Sequence, residues 1–511
     1  MSAGISPFGD RALRFPLEPS IDRRALLFTL RVLDGVVDVV LAEDTGAVVL
    51  ATPAHRPAVT TALASALASA SASALPSASA SASASALAPA PAHHTIRVVY
   101  DGEDLPHVSS ATGLSIEAVI ALHAGGDYEV AMLGFLPGFA YLRGLDTRLV
   151  LPRRSTPRTR VPAGSLAMAA EYTGIYPFAS PGGWNLLGRV VGYRAFGERG
   201  ATLALGDHVR FVADPGSSPD DRASGAPAPG SRATAPGPGL EVRRVTGPAL
   251  VVDGGRVGHM HEGVPHGGAM VPEQLARANA SARNSAGAAA IELYGVLEVV
   301  ARGGSVEVGD DTGSRRVLAE GEALVVATEG RTRVRYLAVR GGVDAPVVLD
   351  GRGTLLVAGI GGYEGRALRR GDVVAGADAS ASADASADAS ASADADIAMV
   401  DGPDADQEVL AAMARASFTI SAQSDRIGTR LDGPALPAHS MQSTREHARS
   451  RPMVPGAIEL TPAGLVVLGP DHPTTGGYPV VAVIPSRALG RLLARPIGAR
   501  VRLVRAALDQ G

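Results

Sequence analysis

Three low-complexity stretches cut the chain into pieces that must each bury a core of their own, and this division constrains the fold more than any other feature. Ala62 to Ala92 is an Ala/Ser repeat, Asp214 to Gly239 is rich in Pro, Gly, Ser and Ala, and Gly376 to Asp396 repeats Ala-Ser-Ala-Asp. None shows an apolar periodicity that would offset the entropy of ordering. Alanine favours helix, but the alternating serines remove an apolar stripe and compete for backbone hydrogen bonds, so disorder is expected in all three. In a chain of 511 residues, what lies between and around them suffices for two or more cores. The division expected is a domain at 1–213, itself split into a small α/β subdomain (1–61), the insert 62–92 and a second part (93–213), then a linker at 214–239. A domain at 240–511 follows, interrupted at 376–396.

Within these pieces the dominant pattern is the short strand bounded by Gly, Pro or Asp. Ala25 to Leu33 reads as a helix, and VVDVVLAEDTGAVVLAT, residues 36–52, as two strand-like runs around the turn signal Asp44-Thr45-Gly46. HHTIRVVYDGEDL ends a strand at Asp101-Gly102, and GLSIEAVIALHAG supplies an amphipathic helix with Ser115 near its start and Gly125 near its end. LEVRRVTGPALVVDGG, AAIELYGVLEVVARGGSVEVG and RVRYLAVRGG repeat the strand-and-turn style. The fold class expected is mainly β with α/β elements, a barrel or sandwich in each half.

The chain contains no cysteine and no lysine. The first absence excludes disulfides and thiolate chemistry. The second excludes a Walker-type phosphate loop, a Schiff-base mechanism and covalent attachment of biotin or lipoate to this chain. A formal charge of −4 argues against nucleic acid as the partner. The N-terminal sequence lacks a signal-peptide pattern and no apolar run reaches membrane-spanning length, so the expected location is the cytoplasm.

Several strings carry chemical information. LGFLPGFAYL, Leu133 to Leu142, forces a turn at Pro137-Gly138. PRRSTPRTRVPAGS, Pro152 to Ser165, sets Arg153, Arg154, Arg158 and Arg160 in a proline-restricted loop suited to carboxylate or phosphate, or to a solvated basic turn. TGIYPFASPGGWNLLGR holds the sole tryptophan, Trp184, after Gly182-Gly183 and before Asn185, either a pocket wall or core filling. GGRVGHMHEGVPHGGAM, Gly254 to Met270, brings His259, His261 and His266; without a helical His-Glu-x-x-His pattern, no metal site is assigned, and His261 with Glu262 is read as a polar or acid/base pair. SDRIGTRLDGP supplies Asp425, Arg426 and Arg430. RPMVPGAIEL starts a strand after Pro455-Gly456, and PTTGGYPVVAVI could offer Thr474, Thr475 and Gly476 to an anion or serve as a hairpin connection.

Taken in order, these strings resemble the allophanate hydrolase subunit 1 and subunit 2 domains, the small subunits of bacterial 5-oxoprolinase, as a natural fusion of the two. The resemblance covers nearly everything outside the three low-complexity stretches. It departs from the family at Val252-Asp253-Gly254-Gly255-Arg256, where members carry a Gln-Asp-Leu-Gly-Arg-like segment, and at Val271, where they carry Asp. The resemblance implies two cyclophilin-like β-barrels preceded by a small α/β subdomain. It also implies ATP-dependent opening of 5-oxoproline to L-glutamate with Mg2+ and a separate lactam-utilisation subunit, and it leaves room for a higher oligomer. On that reading Arg158 and Arg160 would hold a substrate carboxylate or ATP phosphates, Gly182, Gly183, Trp184 and Asn185 would shape the pocket, and His261 and Glu262 would move protons. Two other functions stay open at this point: the carboxyltransferase part of a urea carboxylase, with biotin carried on a partner, and non-enzymatic regulation of a histidine kinase.

Overall fold

The computed structural model describes residues 4–73, 89–197, 200–214, 216, 237–377, 396–437 and 449–508. The first unit pairs β1 (Ser6–Pro7), β2 (Ala12–Pro16), β3 (Val36–Leu41) and β4 (Thr45–Leu50) in the order β1-β2-β4-β3. Helix α1 (Arg23–Arg31) begins where the Asp22 carboxylate accepts the Ala25 N–H at 3.0 Å, and it turns Leu26, Leu27 and Leu30 onto the sheet.

Helix α2 (Arg56–Ser73) corrects the first expectation of disorder, because it runs on through Ala62–Ser73. Val59 and Leu63 are fully buried, and Ala66, Leu67 and Ala70 pack against the same core. Their spacing is a helical stripe; two leucines in phase with Val59, on a backbone of strong helix formers, are enough to dock it. Residues 74–88 of that stretch, most of the 214–239 linker and most of 376–396 lie outside the described residues.

The second unit is a closed barrel. Its elements are β5 (His93–Val99), α3 (Leu105–Thr112), α4 (Ile116–Ala124), β6 (Tyr128–Leu133), β7 (Ala140–Arg143), β8 (Arg158–Val161), β9 (Ser165–Ala169), β10 (Tyr172–Ile175), β11 (Ser180–Gly182), β12 (Asn185–Val191), the ribbon β13 (Phe196–Gly197) and β14 (Gly200–Ala201), and β15 (His208–Ala213). Seven strands close in the order β10-β7-β6-β15-β5-β12-β9, while β8 and β11 form a separate strap. The ring is closed by the parallel pair β5–β15, from His208 opposite His93 to Ala213 opposite Val98.

The second half contains more than one barrel unit. Residues 239–375 form two facing sheets. The first contains β16 (Gly239–Thr246), β19 (Val296–Arg302), β22 (Ala323–Ala327) and β24 (Val373–Ala375). The second contains β17 (Ala249–Val252), β18 (Ala290–Leu293), β20 (Val306–Asp310), β21 (Arg315–Leu318) and β23 (Arg335–Val339), with α5 (Pro272–Ser281) packed on it. Leu240, Val242, Ile291, Leu297, Val299 and Leu337 fill the space between the sheets.

Only then comes the second seven-stranded barrel, from β25 (Ile397–Asp401), α6 (Gln407–Arg415), β26 (Ser417–Ile420), β27 (Gly428–Asp432), β28 (Arg451–Pro452), β29 (Ala457–Thr461), β30 (Gly464–Leu468), β31 (Thr475–Gly476), β32 (Val480–Val483), α7 (Ser486–Ala494) and β33 (Arg500–Arg505). It repeats the first design: a parallel pair, β25–β33, sits in the ring, and a strap, β28–β31, crosses outside it. The architecture is mainly β, with two closed seven-stranded barrels of the expected cyclophilin-like type. No single helix among the described residues is long and apolar enough to cross a membrane.

Candidate functional site

The loop between β6 and β7, residues 134–139, is where the two halves interlock. Phe135 takes φ +66°, which is costly for a residue with a side chain, and Gly138 takes +72°. This shape points two backbone donors outward: Phe135 N–H donates to Thr475 Oγ1 at 3.0 Å, and Gly138 N–H donates to the Glu262 carbonyl at 2.9 Å. Approach is close enough to require glycine: a Cβ on Gly134 would collide with the Thr475 hydroxyl, and one on Gly263 would sit 2.8 Å from the Leu136 carbonyl oxygen. Three of the sequence motifs therefore meet at one point.

On the first-half side, Trp184 packs edge-to-face on Phe139 (5.4 Å) and Tyr141 (5.6 Å) and is 6% exposed, so it is core filling rather than an open pocket wall. Gly182 is required by Tyr176, whose hydroxyl occupies the place of a Cβ, and the Gly183 carbonyl accepts the Arg154 N–H at 2.8 Å. Asn185 donates to the Pro152 carbonyl at 3.2 Å, while its Oδ1 is buried without a partner. Arg158 is largely committed: Nε donates to Glu103 at 2.6 Å and Nη2 to Asp104 at 2.8 Å, leaving Nη1 buried and unpartnered. Asp104 also receives Arg154 and the Leu186 N–H, which ties the arginine loop to β12. Arg160 is exposed, and Arg153, also exposed, lies within electrostatic reach of Tyr141 and Tyr176.

On the second-half side, His261 and Glu262 do not form the expected pair. Glu262 Oε2 lies 2.8 Å from His259 Nδ1, whose other nitrogen is 3.0 Å from Asp350; both nitrogens donate only from a protonated ring, and these carboxylates raise the affinity of His259 for its proton. Burial instead pushes His261 down to about 4, and its Nδ1 has no partner. A 3-10 turn puts the two side chains on different neighbours, and adjacency in sequence could not reveal that.

Two arrangements were not assigned from the sequence. Asp38, from β3 of the first unit, is 2% exposed and accepts Gly258 N–H at 2.7 Å, Met260 N–H at 2.9 Å and His266 Nε2 at 2.7 Å, so one carboxylate of the first half fixes the histidine loop of the second. Arg426 is buried between Asp471, gripped by two nitrogens at 2.8 and 2.9 Å, and Glu292 at 2.5 Å, and donates to the Gly268 carbonyl at 2.6 Å. Burial opposes its charge, but the two carboxylates outweigh burial and hold the guanidinium well above its ordinary value. The Arg in SDRIGT and the Asp in PDHPTT were the available signal, since a buried arginine needs a carboxylate from another motif. Of the two family departures, Val271 starts α5 without a side-chain cap and packs in the core, and Asp253 closes its own turn by accepting the Gly255 N–H.

The Thr-Thr-Gly-Gly loop is the most reactive-looking element. Thr475 bridges to Phe135, while Thr474 Oγ1 and His472 Nε2 are buried without partners. His472 Nδ1 lies 2.8 Å from the Pro473 carbonyl, which only accepts, so Nε2 carries the lone pair, and burial keeps the ring neutral by pushing its pKa down to about 4. Tyr141 of the first barrel reaches the Ser450 and Thr475 hydroxyls across the seam. A cavity of about 670 Å3 lies elsewhere, between α1 and the first barrel, lined by Arg23, Glu129, Arg143 and His208, and none of the motif residues borders it.

Comparison with known proteins agrees with this geometry. The family described as carboxyltransferase domain, subdomain C and D, matches residues 3–197, and that described as carboxyltransferase domain, subdomain A and B, matches residues 262–505. The B-type 5-oxoprolinase subunit of Bacillus subtilis is 44% identical over 122 residues, 23% of this chain and 51% of that protein. The matched part thus spans about half the length of that relative. The C-type 5-oxoprolinase subunit of Escherichia coli is 30% identical over 290 residues, 53% of this chain and 92% of its own length. The crystal structure of TTHA0988 superposes with a TM-score of 0.79 at 29% identity, covering 97% of this chain and 99% of that one.

Proposed function

The chain belongs to the carboxyltransferase-domain family, with subdomains C and D followed by A and B in one polypeptide, and from this we propose that it is a component of an ATP-dependent 5-oxoprolinase. It would act in the cytoplasm with a separate lactam-utilisation subunit, opening 5-oxoproline to L-glutamate. The observation that carries the reading is similarity to two different 5-oxoprolinase subunits, one for each half, in a chain whose halves interlock at residues 134–139. The exposed Arg153 and the unpartnered Arg158 Nη1 offer cations for a substrate carboxylate on the same loop.

A lactam is a poor electrophile, and ATP with Mg2+ would supply its activation. Among the described residues no cluster of three His, Asp or Glu side chains is set to hold a cation, and Arg158 is mostly engaged by Asp104 and Glu103. The residues do not fit a nucleotide–magnesium cradle, and we assign that cradle to the partner subunit.

The test is glutamate release from 5-oxoproline with Mg-ATP, using the purified chain alone and mixed with the lactam-utilisation subunit. Release only from the mixture is expected. No release with a folded partner would sink the reading in favour of the second one, carboxyl transfer, which the family description itself favours; with no lysine in this chain, the biotin would arrive on a partner.

A further inference from the structure

A carboxyl that neither the motifs nor the proposed function assigned lies directly under the Thr-Thr-Gly-Gly loop. Along β29, Ile458 and Leu460 point into the second barrel, and Glu459 points out beneath the strap β28–β31. Gly476 covers it: a Cβ there would stand 3.1 Å from Glu459 Oε1 and 2.7 Å from Met453 Cε. Val466 and Val480 sit opposite it in register on β30 and β32. The charged residue on β28, Arg451, is committed to Asp404. Glu459 is 8% exposed and has no hydrogen bond or ion pair among the described residues.

A carboxyl in such surroundings keeps its proton, and burial lifts this one to about 7. A purely structural role does not account for it, because an unpaired buried acid destabilises the fold where an apolar side chain of similar size would fill the same space. The loop above it holds the buried and unpartnered His472 Nε2 and Thr474 Oγ1, and its Thr475 accepts the Phe135 N–H where the halves meet.

Resting on the oxoprolinase reading, we propose that Glu459 is the proton donor to the departing lactam nitrogen. Water adds to the carbonyl carbon, the C–N bond breaks with its electron pair going to nitrogen, nitrogen takes the carboxyl proton, and the carboxylate recovers a proton from the added water. Charge and atoms balance over the step, and Glu459 returns to its starting form.

The experiment uses the full chain with its lactam-utilisation subunit and follows glutamate release across pH 5.5–9. The wild-type rate is expected to fall as pH rises through about 7, and Glu459→Gln to lose about 100-fold or more in kcat together with that pH limb. Glu459→Asp, which keeps an acid, is expected to restore part of both. A Glu459→Gln protein with the wild-type rate, or one that is slower but keeps the limb, overturns the assignment while leaving the oxoprolinase reading intact. A wild-type chain that is inactive with a folded partner overturns both. Because Gln is isosteric, a melting temperature at pH 8 equal to or above that of wild type shows that a lost rate is not a lost fold.

Discussion

Replacing Asp38 by Asn tests whether one carboxylate holds the histidine loop onto the first unit. In the wild type, Oδ2 accepts Gly258 N–H and His266 Nε2, and Oδ1 accepts Met260 N–H, all at 2.7–2.9 Å and away from solvent. An amide has one oxygen, so its NH2 must face either Met260 N–H or the Gly258 and His266 donors, and at least one buried donor loses its acceptor. Losing one hydrogen bond to a charged group and weakening the others costs about 2–3 kcal/mol. Since about 1.4 kcal/mol is a factor of ten, local opening of residues 258–264 should become about 30- to 140-fold more frequent. Amide hydrogen exchange read by mass spectrometry is the assay, with β25–β33 as internal control. Protection of 258–264 within threefold of wild type would refute the claim that Asp38 is the clamp.

Three further outcomes are expected. Arg426→Met leaves Glu292 and Asp471 buried without their counter-ion and should lower stability by about 3–5 kcal/mol, read as a drop in melting temperature that adding Glu292→Gln and Asp471→Asn partly reverses. Glu459 binds its proton more tightly when folded, about 7 against 4.5, so its stabilising contribution is complete below pH 4.5 and disappears as pH rises through 7, a change of about 3 kcal/mol; Glu459→Gln should accordingly narrow the difference in melting temperature between pH 5 and pH 8. Leu63→Ala removes the fully buried anchor of α2 and should cost about 2–4 kcal/mol, with loss of helical circular dichroism as well as thermal stability.

The sequence was most legible where glycine and proline force geometry. The turn at Pro137-Gly138, the Gly-rich histidine loop and the Thr-Thr-Gly-Gly loop were all singled out, and they converge because Gly134 and Gly263 permit an approach between loops that a side chain would block. It was least legible where a partner comes from far along the chain. The parallel pair His93–Val99 with His208–Ala213 closes a ring across more than a hundred residues, and no local pattern distinguishes such strands from those of the two facing sheets at 239–375. Asp38 sits in an ordinary strand pattern, and its role appears only when residues 258–266 arrive. The Ala/Ser stretch misled through its repetitive composition, which hid the phase of Leu63 and Leu67 with Val59.

The loop at 134–139 takes its partners from residues more than a hundred and more than three hundred positions downstream. Tethered segments meet at an effective concentration on the order of millimolar, so a few hydrogen bonds suffice to keep them together where separate proteins would need a far larger interface. A single polypeptide also delivers both halves in strict one-to-one ratio at any expression level. Dilution cannot part them, and damage at the seam will show as slower turnover or local fraying, with no free half left over to be titrated back.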